Sequence, residues 1–311
     1  MDRFTSLFVN QRRNNGFQGL LRSVVPRFKT PIFILAAPRS GSTYLYELVR
    51  RMSYSYSFAT ENTPLWLRAF PPHEMSTKSE YISLEDCSDE RLNNFKSLLA
   101  LKIVFDRKNF RVKPILENFI SRKPISCYVE KTISNCFHVE AINLLFPDAI
   151  FIHLVRDGRA NVSSMIEGWD RFVNVNAVIS KPASINHWSY PMPPEWHEQI
   201  EKPIEEICAW SWIMHNQCVL SSFKDRTNPN YLRIKYEDLR DNPMLVLKKI
   251  SKHASIDISD TCLSYLNKNP NSKTTISSPK PEKWKSKNPK KINRVLESIE
   301  PMMSKLGYPI T

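Results

Sequence analysis

Glycine is scarce: there are six in 311 residues. A chain so poor in glycine has few places for left-handed turns without strain, so each glycine marks a position of interest. The six cysteines, Cys87, Cys127, Cys136, Cys208, Cys218 and Cys262, form no CxxC pair, and none sits beside a histidine at zinc-ligand spacing. They read as reduced thiols, which predicts a cytoplasmic protein with no metal centre. No apolar run approaches the roughly 18 residues of a membrane span. Residues 1–30 alternate short apolar patches with arginines and do not make a signal peptide. No repeat with a period of about 20–50 residues is visible, which excludes solenoids and propellers.

What is abundant is positive charge. Lysine and arginine number 44 against 31 acidic residues, a net charge of +13. Such a balance favours anionic partners without choosing among nucleic acid, anionic lipid and phosphate-bearing small molecules. Residues 1–30 hold six basic residues and one acid, and Phe4, Leu7, Phe8 and Val9 could form one face of a basic helix in peripheral contact with anionic membrane. Between Lys273 and Lys291, seven lysines face Glu282 alone. No zinc finger, RNP-type aromatic motif or helix-turn-helix signature supports nucleic-acid binding. Hydrophobic residues make up 41%, enough for a sizeable core, and α/β folds of this length often close as one domain.

Four apolar runs read as buried strands: Ile32–Ala37, Ser126–Glu130, Ile150–Val155 and Leu232–Tyr236. Lys102–Phe105 is a weaker fifth. Helical patterns lie between them. Tyr44–Met52 puts Leu45, Leu48, Val49 and Met52 on one face, and Phe137–Phe146 and Pro203–Phe223 show the same spacing. This alternation predicts an α/β fold with a mostly parallel central sheet flanked by helices. In such sheets ligands sit at the carboxyl ends of the strands. Residues 170–203, with Trp188, Tyr190, Trp196 and five prolines, break the alternation and read either as a surface excursion or as an acceptor lid.

Two strand ends carry chemistry. After Ile32–Ala37 comes Pro38-Arg39-Ser40-Gly41-Ser42-Thr43 and then a helix, a geometry that points backbone N–H groups at one anion. Measured against the nucleotide motif GxxxxGK[ST], Ala36 replaces the first glycine and Ser42 stands where the lysine belongs. The cation is Arg39, inside the loop. Without the lysine that spans the β- and γ-phosphates, the loop suits a smaller anion better than a triphosphate. The second end is Arg156-Asp157-Gly158-Arg159 after Ile150–Val155. Ser164 follows eight residues later on a helix, so both Arg156 and Ser164 could face one anion.

Together the loops resemble those of the sulfotransferase family, enzymes that use 3′-phosphoadenosine 5′-phosphosulfate. Three further stretches agree in order: Glu130-Lys131-Thr132, Tyr236-Glu237-Asp238-Leu239 with Pro243, and Lys283-Trp284 followed by Leu306-Gly307-Tyr308. The resemblance covers about 31–170 and 205–311 and is nearest to bacterial and tyrosylprotein-type members. It implies a single P-loop-like domain over 31–311 that moves a sulfuryl group to a hydroxyl, with an amine as second choice. It places Arg39, Ser40, Gly41, Ser42, Thr43 and Tyr44 around the 5′-phosphosulfate and Arg156 with Ser164 on the 3′-phosphate. Lys283 and Lys285 fall in the region that closes over that phosphate. Lys131 would help neutralise the transferring group.

For the general base the resemblance offers Glu61, 22 residues after Arg39, as in tyrosylprotein-type members. His138 is the second candidate, with a packed core histidine as its plainer reading. The acceptor, whether sugar, lipid, small molecule or peptide, is not specified, because donor chemistry fixes the motifs. The alternative is a P-loop kinase or NTPase, against which the missing lysine argues.

Overall fold

The structure is a computed structural model that describes residues 28–53, 55–105, 125–179, 183–223, 228–268 and 280–310. The basic segment 1–27, with Phe4, Leu7, Phe8 and Val9, lies outside the described residues, as does the stretch 269–279. Five strands, β1 (Phe28–Leu35), β2 (Ser55–Tyr56), β3 (Ile125–Lys131), β4 (Ile150–Val155) and β5 (Tyr231–Lys235), make one sheet in the order β2-β3-β1-β4-β5. Every pairing is parallel. Strand β1 is central, with β3 on one side and β4 on the other, so the chain reverses its direction of travel across β1. That is where an open α/β sheet leaves a crevice at its carboxyl edge.

The helices are α1 (Ser42–Val49), α2 (Thr63–Ala69), α3 (Asp89–Phe105), α4 (Val139–Leu145), α5 (Gly158–Gly168), α6 (Ile204–Ser222), α7 (Tyr236–Asp241), α8 (Pro243–Ala254), α9 (Asp260–Asn267), α10 (Trp284–Lys287) and α11 (Pro289–Leu306). Alternate residues of β1 serve opposite faces, as the pleat requires. Ile32 and Ile34 pack with Leu45 and Leu48 of α1 and with Leu247 and Ile250 of α8. Phe33 and Leu35 pack on the other face with Ile142 of α4 and Val219 of α6. Burial on both faces explains why the strands read as continuous apolar runs.

The run Lys102–Phe105 is not a strand: it is the last turn of α3. Phe95, Leu98, Leu99 and Ile103 are buried at helical spacing, and a four-residue apolar run cannot by itself separate the two periods. Strand β2, only two residues long, escaped the sequence reading for the opposite reason, having no room for a period.

The described residues of the segment 170–203 belong to the packed structure. Trp188, Met192 and Trp196 sit in one cluster with Trp212 of α6 and Ile299 of α11. Val173 bridges Ser189, the Tyr190 hydroxyl donates to the Met165 carbonyl at 2.9 Å, and Trp196 Nε1 donates to the Lys78 carbonyl at 3.2 Å. The prolines rule out a long helix but not burial. Among the described residues no helix is long and apolar enough to cross a membrane.

Candidate active site

The loop after β1 bends sharply. Arg39 has φ of 65°, a left-handed conformation that costs a non-glycine residue roughly 1–2 kcal/mol. Two hydrogen bonds hold it there. Asn161 Nδ2 donates to the Pro38 carbonyl and Arg156 Nη1 to the Arg39 carbonyl, each at 2.7 Å. At about 0.5–1.5 kcal/mol apiece, two such bonds are of the size needed to offset the turn. Gly41 is also left-handed, at φ 92°, and a Cβ there would lie 2.5 Å from Cδ2 of Tyr236. Both the conformation and the close approach therefore require glycine. Helix α1 begins at the next residue, so the N–H groups of its first turn point out of the helix end with its positive dipole.

Within this loop the residues divide their work. Ser40 is buried, its hydroxyl donates to Asn161 Oδ1 at 2.7 Å and its N–H to the Ala37 carbonyl at 3.3 Å, so it shapes the turn. The Tyr44 N–H donates to the Gly41 carbonyl at 3.0 Å, closing the first turn. Arg39 lies with its guanidinium 4.9 Å from the Phe172 ring, at the start of the 170–203 segment.

Arg156 stands at the end of β4, next to β1, with its guanidinium 4.6 Å from the Tyr236 ring. Burial pushes the pKa of Arg39 and of Arg156 below the usual arginine value, and their mutual repulsion adds to this at Arg39. Two desolvated cations joined through one backbone carbonyl favour an anion between them. Arg156 Nε is buried without an acceptor, a donor that a bound anionic group would satisfy. Ser164 is half-buried on α5, and Lys283 closes onto the same helix through Glu167 Oε2 at 2.8 Å. Lys285 instead pairs with Glu282 at 2.6 Å and is exposed, so the structure does not bring it to this cluster.

The C-terminal part braces the second loop. Glu237 accepts the Asp157 N–H at 3.1 Å through one oxygen and the Tyr308 hydroxyl at 2.7 Å through the other. The stretch Tyr236–Leu239 opens α7, so its acidic residues lie at a helix start rather than on a strand.

On the far side of β1, the end of β3 carries Lys131. Its Nζ forms an ion pair with Glu61 Oε1 and lies 3.5 Å from Thr43 Oγ1. Glu61 Oε2 also accepts the Ile133 N–H at 3.4 Å. The neighbouring Asn62 fixes this corner: its N–H donates to Thr132 Oγ1 and its amide to the Tyr128 hydroxyl, both at 2.8 Å. Lys102 Nζ reaches the Asn62 side chain at 2.6 Å. Glu61 thus stands at the rim, one lysine away from the loop after β1. His138 does not. It is buried, its ring centre lies 4.4 Å from that of Trp66, and burial pushes its pKa down to about 3.

Sequence reading missed Asn161 and Glu80. The buried Glu80 carboxylate accepts from Asn174 Nδ2 at 2.8 Å and from the Met192 N–H at 3.2 Å, tying the 170–203 segment to the body. Only the polar Asn161 on an otherwise apolar helix face offered a signal. Among the described residues no group of three His, Cys, Asp or Glu side chains could hold a metal ion.

A parallel sheet whose central strand ends in a glycine turn, flanked by a second basic loop, defines the class of P-loop-like folds. The chain belongs to the sulfotransferase family, whose model matches residues 31–260. It is 27% identical over 297 residues to the protein-tyrosine sulfotransferase of Drosophila melanogaster, covering 89% of this chain and 51% of that protein. The chain therefore spans about half the length of that curated relative. Its fold is similar to that of sulfotransferase STF1 from Mycobacterium tuberculosis H37Rv, with a TM-score of 0.52 at 13% identity over 92% of this chain and 80% of the other. The sulfotransferase domain from the curacin biosynthetic pathway also matches, with a TM-score of 0.49 at 17% identity over 92% of this chain and all of that one.

Proposed function

We propose that this chain transfers the sulfuryl group of 3′-phosphoadenosine 5′-phosphosulfate to an acceptor hydroxyl. The observation that carries the reading is the junction of the two basic loops: Arg156 donates to the Arg39 carbonyl at 2.7 Å, and no lysine stands at Ser42. Two arginines and a helix start suit a ligand with phosphate at both ends. Family membership supports the same chemistry.

In this reading Arg156 and Ser164 hold the 3′-phosphate, with Lys283 beside them. Arg39 and the N–H groups of the first α1 turn face the 5′-phosphosulfate. The acceptor oxygen forms a bond to sulfur as the bridging S–O bond breaks, and that electron pair stays on the leaving phosphate oxygen. Arg39 stabilises this growing charge and, as an arginine, does so without giving up a proton. Glu61 takes the acceptor proton, because it is the carboxylate at the rim, and Lys131 sits between it and the donor loop. His138 is a core histidine. The described parts of the 170–203 segment, tied to residues 78–80 through Asn174 and Trp196, serve as an acceptor wall. The separate, mostly buried cysteines support a reducing, cytoplasmic setting. The acceptor class is a hydroxyl on a sugar, lipid, small molecule or peptide.

Titration calorimetry with 3′,5′-diphosphoadenosine in EDTA tests the donor assignment. Binding without metal, and no response to ATP with magnesium, is the expected result. No heat at millimolar diphosphonucleotide, or a response to ATP alone, overturns it in favour of a kinase-type site.

A further inference from the structure

We propose that Asn161 is a positioning residue of the donor site, fixing from inside the molecule the Arg39 turn that faces the 5′ end of the donor. The inference rests on the donor reading above. The conformation of Arg39 is set by two rotations, one relative to the peptide plane before it and one relative to the plane after it. The first plane contains the Pro38 carbonyl, which Asn161 Nδ2 holds at 2.7 Å. The second contains the Arg39 carbonyl, which Arg156 Nη1 holds at 2.7 Å. Both rotations of a strained residue are thus pinned by two side chains only five residues apart, Arg156 just after β4 and Asn161 in the first turn of α5.

The orientation of the Asn161 amide follows from chemistry. A carbonyl can only accept, so the Asn161 nitrogen faces Pro38, which leaves Oδ1 to accept the Ser40 hydroxyl at 2.7 Å. Asn161 and Ser40 are buried, so water does not compete for these bonds. Its own N–H is held by the Asp157 carbonyl at 2.8 Å, at the start of α5. Asparagine meets the demand for one donor and one acceptor on a short stem. Aspartate would turn an oxygen toward the Pro38 carbonyl.

The test uses calorimetry on the full chain with three probes: 5′-AMP, 3′-AMP and 3′,5′-diphosphoadenosine. Asn161→Asp should weaken 5′-AMP and the diphosphonucleotide about tenfold, the scale of one lost hydrogen bond near a charge. It should leave 3′-AMP within about twofold, because Arg156 and Ser164 remain in place. In an Arg39→Ala background the same change should add little, since Asn161 acts through that residue. Equal weakening of 3′-AMP and 5′-AMP, full additivity with Arg39→Ala, or unchanged 5′-AMP binding overturns the role. If thermal melting shows that Asn161→Asp does not fold, Ser40→Ala removes only the hydroxyl donor and should weaken 5′-AMP about threefold. No loss there also overturns the role. A wild-type chain that binds none of the three probes removes the donor reading itself, and this role with it.

Discussion

The two sides of the crevice are built differently. On the donor side, β1, β4 and β5 meet through neutral or singly charged hydrogen bonds to backbone carbonyls, and Asn161, Ser40 and Gly41 leave no slack. On the other side, at the end of β3, where we propose the acceptor binds, a charged pair stands at the rim, Glu61 with Lys131, next to Lys102 on the Asn62 amide. Around the Arg39 turn, geometry is held through fixed dipoles, with the Lys283–Glu167 ion pair lying farther out on α5. In the proposed reaction the Glu61–Lys131 pair is the part that changes partners during a turnover. Fixed dipoles preserve the position of a ligand that never varies, whereas an ion pair at a rim can rearrange when a substrate enters.

The largest effect should fall on the acceptor side. Glu61→Gln keeps size but removes the basic charge, so turnover should drop about 10²–10⁴-fold. Donor affinity by calorimetry should hardly move. If Glu61→Gln retains wild-type turnover while a folded His138→Ala loses it, the difference between the two sides has been drawn in the wrong place. Next comes Arg39→Ala, with an expected loss of about 10²–10³ in kcat, the range for removing one donor aimed at developing charge. Steady-state kinetics separates this from KM.

Arg156→Ala should act on binding. Loss of a charge-assisted bond at the 3′-phosphate costs about 1.5–3 kcal/mol. The diphosphonucleotide should suffer more than 5′-AMP, whose loss reflects only the Arg39 carbonyl that Arg156 holds, and equal losses would take Arg156 off the 3′-phosphate.

The smallest effect is on stability. Desolvation pushes the Glu80 carboxyl up to about 7, above its ordinary value, so the native state holds its proton more tightly than the unfolded chain does. That contribution is fully present below the unfolded pKa and is lost as pH rises through about 7. His138, pushed down to about 3, works in the other direction: its contribution is present above the unfolded histidine value and fades as pH falls toward about 3. Glu80→Gln should therefore raise the melting temperature at pH 8 relative to the wild type and leave it nearly unchanged at pH 5. Melting curves at the two pH values decide this, and an equal shift at both would locate the cost elsewhere.

The donor side was largely legible in the sequence, because its parts are contiguous: a buried strand, a turn with one glycine, a helix start. Strand β4 and its Arg156 could be read for the same reason. Glu61 could be named only through the family resemblance, since nothing local says that residue 61 returns to the rim. Its place depends on Asn62 meeting Thr132 and Tyr128, contacts some 70 residues apart in the chain. Asn161 and Glu80 stayed hidden for a related cause: each satisfies a buried backbone group on a distant segment, and no spacing rule encodes that. The run at Lys102–Phe105 misled because its apolar residues fit both periods, and only the helix before it settles the matter.

The brace from Tyr308 through Glu237 to Asp157 has a consequence in time. Chains fold as they are made, amino terminus first. All five strands have been synthesised once residue 235 has been added, yet the loop after β4 lacks its last prop until residue 308 follows. A nascent chain thus passes through a stage at which every strand of the sheet has been made but the loop after β4 lacks this brace. The braced form of the cleft is then reached only by molecules whose synthesis has run some seventy residues past the last strand.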